Sequence, residues 1–473
     1  MKKSTLKLFA AIVVLSLVSA VAVRGFSLLG PLEDWQVERV GYGPTLGDIG
    51  GPKNPQGFYR INVPVITYAY DPSFIQYFGT NAIASLETMM QFMNNLPPMS
   101  SITNDGVNFY LNGLPVPMDT KFPNFEAQAL GLFDLKSAAW AALLEEMGLA
   151  EAERWTWALK SRVIRAGPVT NFTVIHLNFD PLPPHPPTPF VNGTRYSYQI
   201  LDGQTISDAL ELILDPFDSG FNTVAGQNNF AGQFYTGLSH DDLGGLRYLY
   251  TTNTVAVETL LGTVTARGPG TITPTNLIGA PWTPVFAVTN IFGTNITGNT
   301  NLTNIIVNAA PRPGINKLFF QRVDFDSIVG NFIPRTNIYA DVFFTNSRAR
   351  FQLVQRAINA PDYIFAAGHT PLTAAGFPSI YARTVTDGWT NNDALNGNST
   401  VGGPGVITPP IVITFTDEWP AVLHAPPFLD EFNFLLFAQW GSFDGTTNPP
   451  VLYPQFGSWT LGARRSAVLG GQP

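Results

Sequence analysis

Not one cysteine occurs in the 473 residues. That excludes disulfides, thiol nucleophiles and cysteine-ligated metals together, so whatever this chain folds into must be held by apolar burial. Burial favours large domains over small ones, and the length allows two to four domains of ordinary size. The constraint is sharper because the chain opens like an exported protein. Lys2, Lys3 and Lys7 give a positive start, Leu8 to Val18 a short apolar core, and Ala20-Val21-Ala22 a small-x-small cleavage site. The apolar run is about half of what a membrane-spanning helix needs. Residues 1–22 are therefore expected to be a cleaved signal peptide, and the mature chain to be secreted or displayed at the cell surface with no transmembrane segment. Export at this size without disulfides is more like bacterial than animal secretion. Removing the three leader lysines takes the formal charge from −8 to −11. An acidic chain with no basic cluster has no electrostatic footprint for nucleic acid.

The residues beyond the leader divide by texture. Residues 23–57 hold Pro and Gly without periodic pattern and read as an irregular lead-in. Residues 58–254 mix the two periodicities: a strand over Tyr59–Tyr70, a helix over Asn81–Leu96 stopped by Pro97-Pro98, and a long helix over Leu130–Leu149 ending near Gly148. A second helical stretch is expected over Glu151–Arg165, an extended proline-rich connector over 182–189, and a strand over Tyr196–Leu201. A last helix starts at Ser239, where Asp242 three residues on completes a capping-box variant. Beyond about Thr254 helical pattern nearly vanishes. Residues 255–473 carry short apolar runs (317–323, 337–344, 406–415, 432–440) between Gly, Pro and Asn turns, as in one or two antiparallel β-sandwiches. The expected class is α+β, with a mixed N-terminal domain at 58–254 followed by an all-β sandwich region.

Three segments give the first of these domains a resemblance. Asp134-Leu135-Lys136-Ser137-Ala138 through Met147-Gly148-Leu149, Leu214-Asp215-Pro216, and the run from Leu238-Ser239-His240-Asp241-Asp242 to Tyr250 resemble, in that order, the active-site helix, the turn beneath the metal and the closing helix of matrixin-type metzincins. The third segment is the most specific. The family's zinc helix carries two histidines at i and i+4 with a general-base Glu after the first. Anchored on Gly148, the resemblance puts those histidines at Ala141 and Glu145, the base at Ala142, the third histidine at Glu151 and the methionine of the turn at Leu214. Every ligand position and the base is substituted. A catalytic zinc needs three such ligands and a water whose pKa falls to about 7, so the implied domain is a metalloprotease scaffold without its reaction.

His176 and His185 flank Asp180 on an extended segment that would not hold them like a helical pair, while His369 and His424 stand alone. Ser239-His240-Asp241 holds three triad residue types, but consecutive residues cannot form a triad. Asp387, Asn392 and Asp393 lie in the best oxygen-rich loop, for which calcium is the one conceivable ion, although its spacing is not that of an EF-hand. Otherwise no cofactor is expected. Asn-x-Ser/Thr triplets begin at Asn171, Asn192, Asn295, Asn301 and Asn398. Trp140, Trp155 and Trp157 are core residues or the lining of a groove offering flat faces to sugar or peptide. The leading expectation is an exported, non-catalytic protein with a structural, adhesive or binding role toward a cell-surface or matrix protein or a polysaccharide. The alternative is a secreted hydrolase, either a metalloprotease with unusual ligands or a carbohydrate-active β region.

Overall fold

A computed structural model describes residues 24–42, 50–165, 170–203, 206–218, 220, 222–226, 230–266, 306–368, 381–385, 389–391, 405–416 and 439–454. The leader, His369, His424, the triplets at Asn295, Asn301 and Asn398, and the loop residues Asp387, Asn392 and Asp393 lie outside them. Within them the fold is α+β, mostly strands with four α-helices: α1 (Pro72–Asn95), α2 (Phe125–Ala129), α3 (Leu135–Glu146) and α4 (His240–Tyr250). No helix among the described residues is long and apolar enough to cross a membrane.

The organising element is a five-stranded sheet in the order Phe319–Arg322, Val65–Tyr70, Tyr363–Gly368, Ile411–Thr416, Tyr381–Val385. The first four strands are parallel, and only the last is antiparallel to its neighbour. Val65–Tyr70 is wholly buried, as a strand covered on both faces must be. Helix α1 packs on this sheet. Asp71 caps it by accepting from the Ser73 amide at 2.8 Å, Pro72 occupies the first turn, and Gly79 (φ 73°) kinks it. Phe74 and Phe78 of α1 meet Phe365, Phe415, Trp440 and Tyr453 at ring separations of 5.6–6.5 Å. One aromatic core therefore draws on both ends of the chain.

This topology corrects the expected division. Strands 319–322, 363–368 and 411–416 are parallel partners within a sheet that includes Val65–Tyr70, and Gln439–Gly441 pairs in parallel with Leu132–Asp134. A boundary near Thr254 thus does not separate two cores. Buried ion pairs reinforce the seam. Arg60 reaches Glu258 across it at 2.5 Å and donates to Arg312 O at 3.0 Å, while the Arg312 side chain pairs with Asp341 at 2.8 Å on the far side. Arg356 pairs with Asp362, whose Oδ2 also accepts from the Thr67 amide at 2.8 Å.

Local expectations need four more corrections. The lead-in 23–57 contains Phe26–Gly30, a buried strand between Leu149–Ala150 on one edge and Asn178–Phe179 and Gly51–Lys53 on the other. The expected single helix 130–149 is broken by Gly131 (φ 68°) and by the strand Leu132–Asp134, and α3 starts anew from the Asp134 cap. The stretch 151–165 is a short 3-10 turn, Arg154–Thr156, followed by the strand Ala158–Ile164. Its Val-Ile and Trp-Thr-Trp content suits a pleated surface better than a helix. Tyr59–Tyr70 divides into Tyr59–Arg60 and Val65–Tyr70, and Tyr196–Leu201 lies inside the strand Thr194–Asp202. Among the described residues beyond Thr254 no α-helix occurs.

Candidate functional site

The region to which the metal-site positions map is built around α3. The Asp134 carboxylate accepts from the Ser137 amide at 3.0 Å and from its hydroxyl at 2.6 Å, and Ser137 Oγ in turn accepts from the Tyr235 amide at 2.9 Å. The capping group thereby fastens the strand Gln233–Tyr235 to the start of the helix. Burial pushes the Asp134 carboxyl above its usual range, against the pull of Lys136 and the Ser137 donors. Residues Ala139 to Glu146 are all buried, so α3 is a core helix enclosed on every side rather than one wall of a cleft.

Its far end is fixed by Gly148. The Gly148 amide donates to Glu145 O at 2.8 Å, and its φ of +101° suits glycine. A Cβ there would stand 2.1 Å from Tyr59 O, so no other residue fits without moving backbone. Helix α4 docks on this turn. Tyr250 Oη donates to Met147 O at 2.7 Å. At Gly245 an added Cβ would lie 2.7 Å from a Leu149 methyl, which shows how closely the two elements approach.

The start of α4 holds a second turn. Ser239 and Asp242 form the reciprocal capping box, and the Asp242 carboxylate also accepts from the Val224 and Ala225 amides at 2.8 and 3.0 Å. Glu153 accepts from the Thr223 amide at 2.8 Å and its hydroxyl at 2.5 Å. Two enclosed carboxylates thus brace Thr223–Ala225, and Tyr235 Oη closes the arrangement on Thr223 O at 2.9 Å. Burial pushes Asp242 up to about 6, opposed by the Ser239 hydroxyl and the two amides, and pushes Glu153 upward against the Thr223 donors. Such groups organise backbone. Being enclosed and engaged with amides and hydroxyls, they are poorly placed to accept a proton from a substrate.

The residues singled out from the sequence are distributed as follows. Ala141 and Ala142 are 1% and 0% exposed and lie in the core, while Glu145 is buried near the same helix end and Glu151 is half-buried. A shallow cleft lined by these four is not formed, because the two alanines lie beneath packed side chains. Leu214 is not beneath the helix either. It is 50% exposed at the end of the hairpin 194–202/207–213, its amide donating to Arg195 O at 3.0 Å. The turn that joins the core is Asn222–Gly226, whose Val224 and Ala225 share one apolar cluster with Trp140, Leu143 and Leu144. Its signal in the sequence is the small, apolar Val224-Ala225-Gly226, whereas Leu214 is followed by Asp-Pro, an exposed-turn signature.

Trp140 is buried against Phe92 at 5.0 Å, and Trp155 is stacked on Tyr42 at 5.3 Å. Trp157 is half-buried, 3.8 Å from the His176 ring and 4.8 Å from Tyr198, with its indole N–H on Tyr196 O. His176 and His185 each direct Nδ1 at a backbone carbonyl, of Thr156 and Asp180 respectively. The Asn192 side chain donates to Asn222 and accepts from the Asp241 amide, whereas Asn171 is exposed. Among the described residues no three His, Asp or Glu side chains converge as a metal site. No family model, curated protein or solved structure matches this chain.

Proposed function

We propose that this is an exported, non-catalytic protein of the cell surface or extracellular space, in which a metzincin-like scaffold has been converted from a reaction vessel into a packing core. The observation that carries the reading is the junction at Gly148. Gly148 makes a left-handed turn, and the capped helix α4 docks on it through Tyr250, which supports the reading. The positions of the first histidine and of the base are instead Ala141 and Ala142, enclosed in apolar packing. Without a base there is nothing to activate a metal-bound water. The role left to such a scaffold is structural or adhesive, toward a surface or matrix protein or a polysaccharide. Of the three indoles, Trp157 is the one within reach of such a partner.

The test is direct. Mature protein purified without chelators is assayed for zinc by mass spectrometry and for cleavage of unfolded casein and of peptide libraries. Sub-stoichiometric zinc and no turnover are expected. Stoichiometric zinc with chelator-sensitive proteolysis would sink the non-catalytic reading in favour of a secreted hydrolase.

A further inference from the structure

The connection from the strand Phe319–Arg322 to the strand Arg335–Thr345 carries a tip of unusual chemistry. Ile328, Val329 and Ile333 are 77%, 76% and 76% exposed within six residues of one another. Apolar side chains scattered singly over a surface need no explanation, but a projecting cluster of them does. The tip is also built rather than slack. Asp326 and Asn331 exchange backbone hydrogen bonds at 3.1 and 3.0 Å, closing a turn over 327–330. The Asp326 carboxylate accepts from the Ile328 and Val329 amides at 3.0 and 3.1 Å, and Gly330 supplies the left-handed conformation (φ 67°). The Ser327 hydroxyl donates to Asp71, the cap of α1, and so fastens the turn to the body of the fold. A Cβ built on Gly330 would meet nothing within 4 Å, so the turn stands clear of its surroundings.

We propose that this tip is a membrane-contact point, which inserts Ile328, Val329 and Ile333 into the outer layer of an electrically neutral bilayer. Two observations select lipid over a protein partner. A specific protein interface takes about 20–30 residues from each side, whereas the loop 323–334 offers twelve, on a turn that projects. A bilayer requires no matching shape. It requires instead that backbone amides entering it be bonded beforehand, and the Asp326 carboxylate does this for the two amides at the tip. The depth involved is roughly 5–10 Å, where apolar faces lie at the headgroup–acyl boundary. Asp324 is exposed beside the turn and the chain carries a formal charge of −8, which sets it against an anionic surface. Three aliphatic side chains give weak, reversible attachment, on the order of the 10⁴ M⁻¹ of a single myristoyl chain. The protein is thereby held near a lipid surface without being anchored in it.

Lipid contact at this tip does not depend on the loss of the zinc site, and either reading can fail alone. Because the chain has no cysteine, Val329→Cys creates a single labelling position. Mature protein carrying an environment-sensitive fluorophore there is mixed with phosphatidylcholine vesicles. A blue shift with brighter emission is expected, while the same fluorophore at Ser347→Cys, on the exposed turn of the hairpin 335–358, stays unchanged. Ile328→Ser and Ile333→Ser should each lower the vesicle partition coefficient about tenfold. Neither should move the urea midpoint, because both side chains already face water. Adding phosphatidylserine should not strengthen binding. Binding that requires phosphatidylserine, an equal response at residue 347, or a partition coefficient unchanged in both serine variants overturns the proposal. So does a tip silent on vesicles whose Ile328→Ser variant loses self-association in sedimentation, which would assign it to a second copy of the chain.

Discussion

Replacing Arg60 by methionine keeps the apolar stem of the side chain and removes the fork that joins the N-terminal strands to the segments after Thr254. Arg60 is fully buried. Its Nε donates to Glu258 at 2.5 Å, Nη1 to the carbonyls of Leu249 and Thr254 at 2.7 and 2.9 Å, and Nη2 to Arg312 O at 3.0 Å. Losing one member of a buried pair costs about 3–5 kcal/mol. The stranded carbonyls add to this, so a loss of about 4 kcal/mol is the working figure. Burial already pushes the Glu258 carboxyl upward, with Arg60 the main opposing influence. Without Arg60 the carboxyl rises further. A group whose folded pKa is raised stabilises when protonated and loses that contribution as pH climbs through the folded value. Arg60→Met should therefore be more damaging at pH 8 than at pH 5. Adding Glu258→Met should recover at least about 2 kcal/mol, because two apolar side chains replace a stranded charge. Urea unfolding followed by tryptophan fluorescence measures all of this through the midpoint at constant slope. A single-variant loss under about 1 kcal/mol, or no coupling between the two substitutions, would refute the view that this pair welds the two parts of the chain.

Glu211 lies 3.9 Å from Arg154, and burial pushes its carboxyl from 4.5 to about 7. Its contribution is held below pH 4.5 and lost as pH rises through 7, so the protein should lose about 3 kcal/mol from this group between pH 4.5 and pH 8.5. Glu211→Gln should flatten that part of the profile, and an unchanged slope in thermal melts would exclude the assignment. Gly148→Ala must drive a Cβ to within 2.1 Å of Tyr59 O at a φ of +101°. A loss of about 3 kcal/mol or more is expected by chemical denaturation, and near-neutrality would show that the turn can relax. Trp140→Ala should cost about 3–5 kcal/mol and Trp157→Ala about half that or less, because the second indole is only half-buried. Equal costs would place Trp157 in the core.

What the sequence reveals here depends on whether the signal is local. The capped helix from Ser239 is legible because Ser239 and Asp242 satisfy each other's amides within one turn. The helix before Pro97-Pro98 is legible at its stop. Its start lies nine residues earlier than its apolar stripe suggests, although Asp71-Pro72 is a strong start signal. The apolar run through 130–149 conceals a strand, because Leu132–Asp134 is recruited by Gln439–Gly441 some 300 residues later, and periodicity carries no information about such a partner. The same limit hides the parallel sheet. Short apolar runs between turns look alike whether they pair with a neighbour or with Val65–Tyr70. For the candidate site, Gly148 and α4 follow from local pattern. The enclosure of Ala141 and Ala142, and the packing of Val224 and Ala225 rather than Leu214 into the core, follow from contacts among segments distant in the chain.

The interleaved sheet also sets a schedule. When Val65–Tyr70 leaves the ribosome or the export channel, its partner Tyr363–Gly368 does not yet exist, and Ile411–Thr416 follows later still. At about 5–20 residues per second, the interval between Tyr70 and Phe319, where the first of its two partners begins, lasts roughly 12–50 s. Throughout it, a strand of β-branched and aromatic residues presents both open edges, a template for pairing with other chains. Such a chain depends on being shielded while it is incomplete. A shortage of holding chaperones should therefore appear as aggregation of nascent protein long before it appears as instability of the finished fold.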